Sequence, residues 1–157
     1  MGDSRRFDVF AKWIKKNFPN VENIADVAGG KGYLSLALKE QGFNVVCYEP
    51  KKRRENVSRI NVKRRLFNDK VKEDFDLLVG MHPDEATDVI ITEAVKREIP
   101  FAVVPCCVKP CAITYWGKHT YQHWLNHLTR EAEKRSYEVM KGQLKMSGKN
   151  IVLAGRP

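Results

Sequence analysis

The sequence predicts an α/β domain: a doubly wound, mostly parallel sheet of about six strands with helices on both faces. Three observations lead there. Short apolar runs of strand length alternate with stretches whose apolar residues recur at helical spacing. The first of these runs, Ile24–Val27, passes through Gly29, Gly30 and Gly32 directly into a helical stretch. The chemically informative residues fall at the carboxyl ends of the predicted strands, where ligands bind in open sheets of this kind: Asp26–Gly32, Glu49-Pro50, Asn68-Asp69, Gly80–Glu85 and Pro105–Cys107.

Each element has its own reason. Over Arg6–Asn17, Phe7, Phe10, Ala11 and Ile14 recur at helical spacing, so this stretch is an amphipathic helix covering one side of the sheet, and Pro19-Asn20 breaks it. After the strand Ile24–Val27 and the glycine turn, Tyr33–Gln41 reads as a helix with Leu34, Ala37 and Leu38 on one face and Gly42 as its stop. Asn44–Tyr48 is the second strand and ends on Glu49. Pro50 opens a basic helix over roughly Lys52–Asn61, followed by a short third strand at Arg64–Phe67. Asp76–Gly80 is a fourth strand. Pro83-Asp84 starts a helix that runs to Glu98, with Val89, Ile90, Ala94 and Val95 on its apolar face. Phe101–Pro105 is a fifth strand and Pro110–Lys118 a loop. Tyr121–Lys141 reads as one long helix with Trp124, Leu125, Leu128 and Ala132 on a stripe, stopped by Gly142. A single terminal strand, Asn150–Ala154, lies beside the fifth without an antiparallel partner after it.

A length of 157 residues and a hydrophobic fraction of 43% fit one globular domain spanning residues 1–157. No apolar run approaches the roughly 20 residues that cross a bilayer, and the start, MGDSRRF, lacks the apolar core of a signal peptide. Arg6 stands where a myristoylation site needs Ser or Thr. Cys47, Cys106, Cys107 and Cys111 form no disulfide framework, so the expectation is a cytoplasmic protein with reduced thiols. The net charge is +9, and the segment Lys51–Arg65, with eight basic residues and one acid, carries +7 of it. Such a cluster is either a solvated helix face or a footprint for phosphate-rich partners. Its concentration in one segment points to nucleic acid, with Lys51, Lys52, Arg53 and Arg54 nearest the predicted ligand edge.

The glycine turn has the form of a nucleotide-binding turn. Its glycines let backbone N–H groups approach a ligand, and the helix that follows favours negative charge at its start. The dinucleotide fingerprint fits only in part, since Ser35 stands where a third glycine belongs, and there is no G-x-x-x-x-G-K-[ST] loop. Asp26 precedes the turn, where a carboxylate repels a pyrophosphate but can bind a cationic amino-acid group. Asp26-Val27-Ala28-Gly29-Gly30-Lys31-Gly32 resembles the first motif of class I S-adenosylmethionine-dependent methyltransferases, with Ala28 in place of the first glycine. Glu49 matches that family's second acidic position, at the ribose hydroxyls, and Asp69 its third, near the adenine. The resemblance implies a Rossmann-like sheet and S-adenosylmethionine as cofactor. Asp26, Ala28, Gly29, Gly30, Gly32, Tyr33, Glu49, Pro50, Asp69 and Gly80 would then form its site. A narrower resemblance, on Gly80-Met81-His82 through Ala86-Thr87-Asp88 and on Cys106-Cys107, is to a subgroup that includes a tRNA 2′-O-methyltransferase. Here Pro83-Asp84-Glu85 stands where some of those relatives carry Cys-Gly.

Several residues are candidates for the chemistry. His82, at the tip of the fourth strand, can accept a proton from a hydroxyl or ring nitrogen, or can simply cap the next helix. Asp84 can orient a nucleophile; Glu85 better fits the helix dipole. Cys106 and Cys107 can line the pocket, attack a ring as nucleophiles, or pack as small buried thiols. His119, His123 and His127 recur every four residues downstream of Cys106, Cys107 and Cys111, but the cysteine spacing is not that of a zinc pair, so no metal is expected. Tyr115, Trp116 and Tyr121 place aromatics at the same edge, where bases can stack; Trp124, on the helix stripe, reads as core.

The functional expectation is S-adenosylmethionine-dependent methyl transfer, with RNA (tRNA or rRNA) as the substrate and a protein partner supplying further RNA contacts. The alternatives are methylation of a small molecule or protein, a non-catalytic RNA-binding subunit with a vestigial pocket, and a nicotinamide-dependent oxidoreductase.

Overall fold

A computed structural model describes residues 3–52, 58–106 and 121–157. In chain order the elements are α1 (Arg6–Asn17), β1 (Asn23–Val27), α2 (Tyr33–Glu40), β2 (Asn44–Tyr48), β3 (Asn61–Lys63) and β4 (Leu77–Met81). A 3-10 turn (Asp84–Ala86) then runs into α3 (Thr87–Arg97), followed by β5 (Phe101–Val104), α4 (Tyr121–Glu133), β6 (Glu138–Gln143) and β7 (Ile151–Arg156). The seven strands form one sheet in the order β3-β2-β1-β4-β5-β7-β6. The contacts among β1 to β5 are all parallel, and β7 runs antiparallel to both β5 and β6. Chain order reverses between β1 and β4, which opens a crevice at their carboxyl ends.

Alternation along the central strands builds two cores. Ile24, Leu77, Val79, Ala102, Val104, Val152 and Ala154 face α1 and α2, where Phe10, Ile14, Leu34 and Leu38 meet them. Ala25, Val27, Leu78, Phe101, Val103 and Leu153 face α3 and α4, where Ile90, Ala94, Trp124 and Leu128 meet them. Strands buried on both faces read as near-continuous apolar runs, which is why β1, β4 and β5 are plain in the sequence.

The chain departs from expectation in two regions. The third strand is Asn61–Lys63, not Arg64–Phe67. It is a three-residue edge strand with one apolar side chain, Val62, too short for a pattern, and it pairs with Val46–Tyr48 of β2. The basic helix expected over Lys52–Asn61 does not reach that far, because residues 58–60 form a turn into β3; residues 53–57 lie outside the described residues. The long helix Tyr121–Lys141 ends at Glu133 instead. Ser136 takes a left-handed φ of 64°, the Tyr137 N–H returns to the Ala132 carbonyl at 3.2 Å, and the chain re-enters the sheet as β6. The single terminal strand is therefore a hairpin, and the sheet has seven strands rather than six. Gly142 is not a helix stop. It lies within β6, where a Cβ would come within 2.9 Å of the Trp13 indole nitrogen.

One arginine ties the irregular stretch between β3 and β4 to the body of the fold. The Arg97 guanidinium donates to the carbonyls of Asn68 and Val71 at 3.1 and 2.8 Å. It covers the Phe67 ring at 4.7 Å and lies 3.6 Å from buried Glu93. Arg97→Ala would remove both carbonyl hydrogen bonds and leave buried Glu93 with Lys96 alone, 3.3 Å away, a loss of about 3–5 kcal/mol at about 1.5–3 kcal/mol for each hydrogen bond of a charged group. Thermal unfolding should show Tm lowered by roughly 6–15 °C, and Arg97→Lys, which keeps the charge but not the planar fork, should recover only part of it.

Candidate active site

The crevice at the β1/β4 reversal is a cavity of about 940 Å³. Its floor is the glycine turn. Beneath that turn lies Asp26, 1% exposed, whose Oδ2 accepts a hydrogen bond from Ser35 Oγ at 2.7 Å. A Cβ on Gly29 would stand 2.3 Å from Cys47 Sγ and 2.8 Å from Asp26 Oδ2, so only glycine fits there. Ala28 and Gly30 both take left-handed φ values, 57° and 58°. For Gly30 this is free of strain; for Ala28 it costs roughly 1–2 kcal/mol.

Glu49 at the tip of β2 holds the turn from above. It is 4% exposed, and its two carboxylate oxygens accept the backbone N–H groups of Gly30 and Lys51 at 3.1 and 3.0 Å. Next to it, Tyr48 is buried against Phe67 and Phe75 in edge-on contacts, and Leu66, 64% exposed, forms part of the cavity wall.

The opposite wall is the end of β4. His82 and Asp84 adopt left-handed φ values of 49° and 52°, a strained turn of the kind that persists where surrounding structure over-determines it. The His82 N–H donates to the Val104 carbonyl at 2.9 Å. Its ring Nε2 lies 2.9 Å from the Lys149 carbonyl on the β6–β7 hairpin. A carbonyl only accepts, so Nε2 carries the proton and a neutral ring keeps its lone pair on Nδ1. Burial holds the His82 pKa below the ordinary value, with the Lys149 carbonyl opposing and the positive charge of Arg6 adding to the effect. The ring is therefore a neutral base at physiological pH. The Cys106 thiol donates to Asp84 Oδ1 at 3.1 Å, and Tyr121, whose hydroxyl donates to the Pro105 carbonyl at 2.5 Å, closes the same edge.

Of the residues singled out from the sequence, Ala28, Gly29, Gly30, Tyr33, Glu49, Pro50, Lys51, His82 and Asp84 line the cavity. Asp26, Gly32 and Gly80 do not: Asp26 supports the turn from below, Gly32 adopts a φ of 90° before α2, and Gly80 packs against Ile90 and Pro83. Asp69 is exposed beyond the wall, and its neighbour Asn68 lines the cavity instead. Cys106 meets the site through Asp84, and Lys52 is exposed beside it. Arg53, Arg54, Cys107, Cys111, Tyr115, Trp116 and His119 lie outside the described residues. Trp124 is 1% exposed and belongs to the core, as its stripe position predicts. Among the described residues no three His, Cys, Asp or Glu side chains converge on a metal position, and no helix is long and apolar enough to cross a membrane. Sequence reasoning missed Arg6 and Phe7 of α1, Leu66 and Phe67, and Val89, Thr92 and Glu93 as wall residues. No local pattern marks them, since they reach the cavity only through packing.

Burial pushes the Asp26 carboxyl up to about 7; the Ser35 hydrogen bonds oppose this, and the Glu49 charge adds to it. Between pH 4 and 7 the folded protein keeps a proton that the unfolded chain has released. Stability contributed by Asp26 therefore declines as pH rises through that window and is level above it. Asp26→Asn keeps an acceptor for Ser35 and removes the ionisation. Its Tm should exceed the wild-type value by several degrees at pH 8, with the difference vanishing near pH 4 in a pH series of thermal melts.

Residues 5–112 match the family described as a methyltransferase domain, well over half of the chain. A Drosophila melanogaster protein named "Probable tRNA (uracil-O(2)-)-methyltransferase" is 25% identical over 146 residues, covering 83% of this chain and 28% of that protein. The chain thus spans little more than a quarter of that relative's length. Among solved structures, ribosomal protein L11 methylase from Lactobacillus delbrueckii subsp. bulgaricus has a TM-score of 0.67 at 16% identity, over 99% of this chain and 79% of that one. The glycopeptide N-methyltransferase MtfA complexed with (S)-adenosyl-L-methionine has a TM-score of 0.64 at 13% identity, over 96% of this chain and 94% of that one. Likeness at those identities concerns the fold, whereas the match over residues 5–112 goes further: the chain belongs to the methyltransferase domain family.

Proposed function

We propose that this chain transfers a methyl group from S-adenosylmethionine to RNA. The observation that carries the cofactor half of the reading is the cavity at the β1/β4 reversal. It has the volume of a small-molecule site, a floor that admits no side chain at Gly29, and a buried carboxylate at the tip of β2. These residues fit the cofactor. Gly29 and Gly30 give its backbone-side surface, Glu49 places a carboxylate where ribose hydroxyls can donate to it, and Leu66, Phe67 and Asn68 form a largely apolar wall suited to the adenine. Asp26 acts through the turn it supports. Bound there, S-adenosylmethionine supplies an electrophilic methyl group on its sulfonium.

The chain's own part is positioning and proton handling. His82 offers a neutral imidazole at the cavity wall for the proton of an attacking hydroxyl or ring nitrogen, and its hydrogen bond to the hairpin holds the ring in one tautomer. Asp84, held by the Cys106 thiol, stands beside it to orient the nucleophile.

The RNA half rests on two supports: the relative named for tRNA methylation and the +7 segment Lys51–Arg65, which leaves the cavity edge at Lys51. Phosphates gathered there would guide a nucleotide toward the cavity without selecting its sequence.

Calorimetry tests the cofactor: S-adenosylhomocysteine should bind, and NADH should not. The RNA reading is tested by filter binding across a salt series. The triple substitution Lys52→Ala, Arg53→Ala, Arg54→Ala should weaken RNA binding and lower the log–log salt slope by about 0.7 per lost contact, with S-adenosylhomocysteine affinity unchanged. Coincident salt curves would make a small-molecule or protein substrate the better reading.

A further inference from the structure

The cavity wall is unevenly charged. Its basic residues, Arg6, Lys31 and Lys51, come from α1, the glycine turn and the tip of β2. The side built by the end of β4 and by α3 contributes Asp84, Glu85 and Asp88, and also Glu93, which Lys96 and Arg97 accompany. Among the described residues that side adds no lysine or arginine to the wall. A nucleotide presented to His82 therefore brings its phosphates past carboxylates. Like charges repel there unless a cation stands at the rim on the same side.

The β6–β7 hairpin supplies that cation. β7 runs antiparallel to β5, with Val103 opposite Leu153 and Phe101 opposite Gly155, so β7 begins beside the carboxyl end of β5. The hairpin tip, residues 144–150, thus lies at the same edge of the sheet as the cavity. Alternation decides what the tip displays. Leu144 and Met146 are buried in the core beneath α1, while Lys145, Ser147 and Lys149 are exposed. The tip is tied down at three points. The Leu144 N–H donates to the Asn150 carbonyl at 2.8 Å, Asn150 Nδ2 to the Met146 carbonyl at 3.0 Å, and the Ser147 N–H to Asp3 Oδ2 at 3.2 Å. From residue 139 to 157 the chain carries Lys141, Lys145, Lys149 and Arg156 and no acid. Among the described residues neither Lys145 nor Lys149 forms an ion pair.

Lys149 stands nearest the chemistry. Its carbonyl lies 2.9 Å from the His82 ring, and its ammonium rests 4.2 Å over the Tyr121 ring. That ring contact keeps the charge at the rim, and a charge-assisted hydrogen bond to a phosphate exceeds it in strength. Lys51 follows β2, and β7 is four strand spacings away in the sheet order, about 19 Å at about 4.8 Å per spacing. His82, at the end of β4, falls between them. No single phosphate reaches both basic groups, so a strand crossing the cavity meets a cation on each side of the nucleotide at His82.

We propose that the β6–β7 hairpin tip is a second phosphate-binding surface for the RNA substrate. Lys145 and Lys149 hold the backbone on the opposite side of the target nucleotide from Lys51. The inference rests on the RNA reading above and deepens it.

The experiment is filter binding of an unmodified tRNA transcript across a salt series. The double substitution Lys145→Ala, Lys149→Ala should lower the log–log slope by about 1.4, at about 0.7 for each phosphate contact, and weaken binding roughly tenfold at about 0.15 M salt. Lys145→Arg, Lys149→Arg should restore the slope. Calorimetry should give both variants wild-type affinity for S-adenosylhomocysteine. As a control, Lys15→Ala, Lys16→Ala removes the same charge from the last turn of α1. That turn lies at the far edge of the sheet, where the Asn17 carbonyl meets Arg156 at the end of β7, and the slope should stay at the wild-type value. An unchanged slope in the hairpin variant overturns the proposal. So does an equal fall in the control, which would show that only net charge matters, or a parallel loss of S-adenosylhomocysteine affinity, which would show a structural role. A wild-type protein that binds no RNA would refute the RNA reading itself, and this inference with it.

Discussion

The turn between β1 and α2 keeps its shape because it is held between two buried carboxylates. Asp26 fills the space below, against Ser35 and the Gly29 backbone, and Glu49 takes the Gly30 and Lys51 N–H groups from above. Hydrogen bonds to a charged acceptor contribute about 1.5–3 kcal/mol each, enough to offset the left-handed Ala28. The consequences spread outward. Position 29 must lack a side chain because Cys47 and Asp26 already occupy its space. The first turn of α2 must start where Ser35 can reach Asp26, and the end of β2 must stay in register with β1 for Glu49 to meet Gly30. The Asp26–Cys47 register pairing is the sheet's side of that requirement. Site and core are therefore one packed object.

The cavity walls obey a looser logic. Arg97 fastens the stretch carrying Phe67 and Asn68 from α3, and the β6–β7 hairpin fastens His82 through one backbone carbonyl. Both are tertiary contacts between segments far apart in the chain. The hairpin also takes part at a second point, where the Lys149 ammonium rests 4.2 Å over the Tyr121 ring. The C-terminal strands thus do more than complete the sheet: they set the ring orientation of a residue in the candidate site.

What the sequence disclosed, and what it did not, follows the same division. Strand β1, the glycine turn, α2 and β2 were legible because period, glycine and acid all bear on the same short stretch. The alternation of β1 could have been carried one step further. Ile24 faces α2 while Ala25 and Val27 face the other way, so Asp26 must also point toward α2. There it finds Ser35 rather than the cavity. Strand β6 was hidden because Val139, seven residues after Ala132, continues the apolar spacing of α4, and because a glycine that admits Trp13 looks like one that ends a helix. Arg6, Phe7 and Leu66 were not legible as site residues at all, since their roles arise from which segments the sheet order brings together.

The outermost strands bear on how the molecule behaves in concentrated solution. β3 has three residues and ends on Lys63; β6 carries Glu138 and Lys141. Sheet margins that are short or charged make poor templates for a strand from another molecule, and a net charge of +9 adds repulsion at long range. The flat apolar strands that would nucleate assembly, β1, β4 and β5, are sealed inside. Strand-by-strand aggregation of this protein would therefore have to begin with unfolding, so its solubility should track its thermal stability rather than its surface.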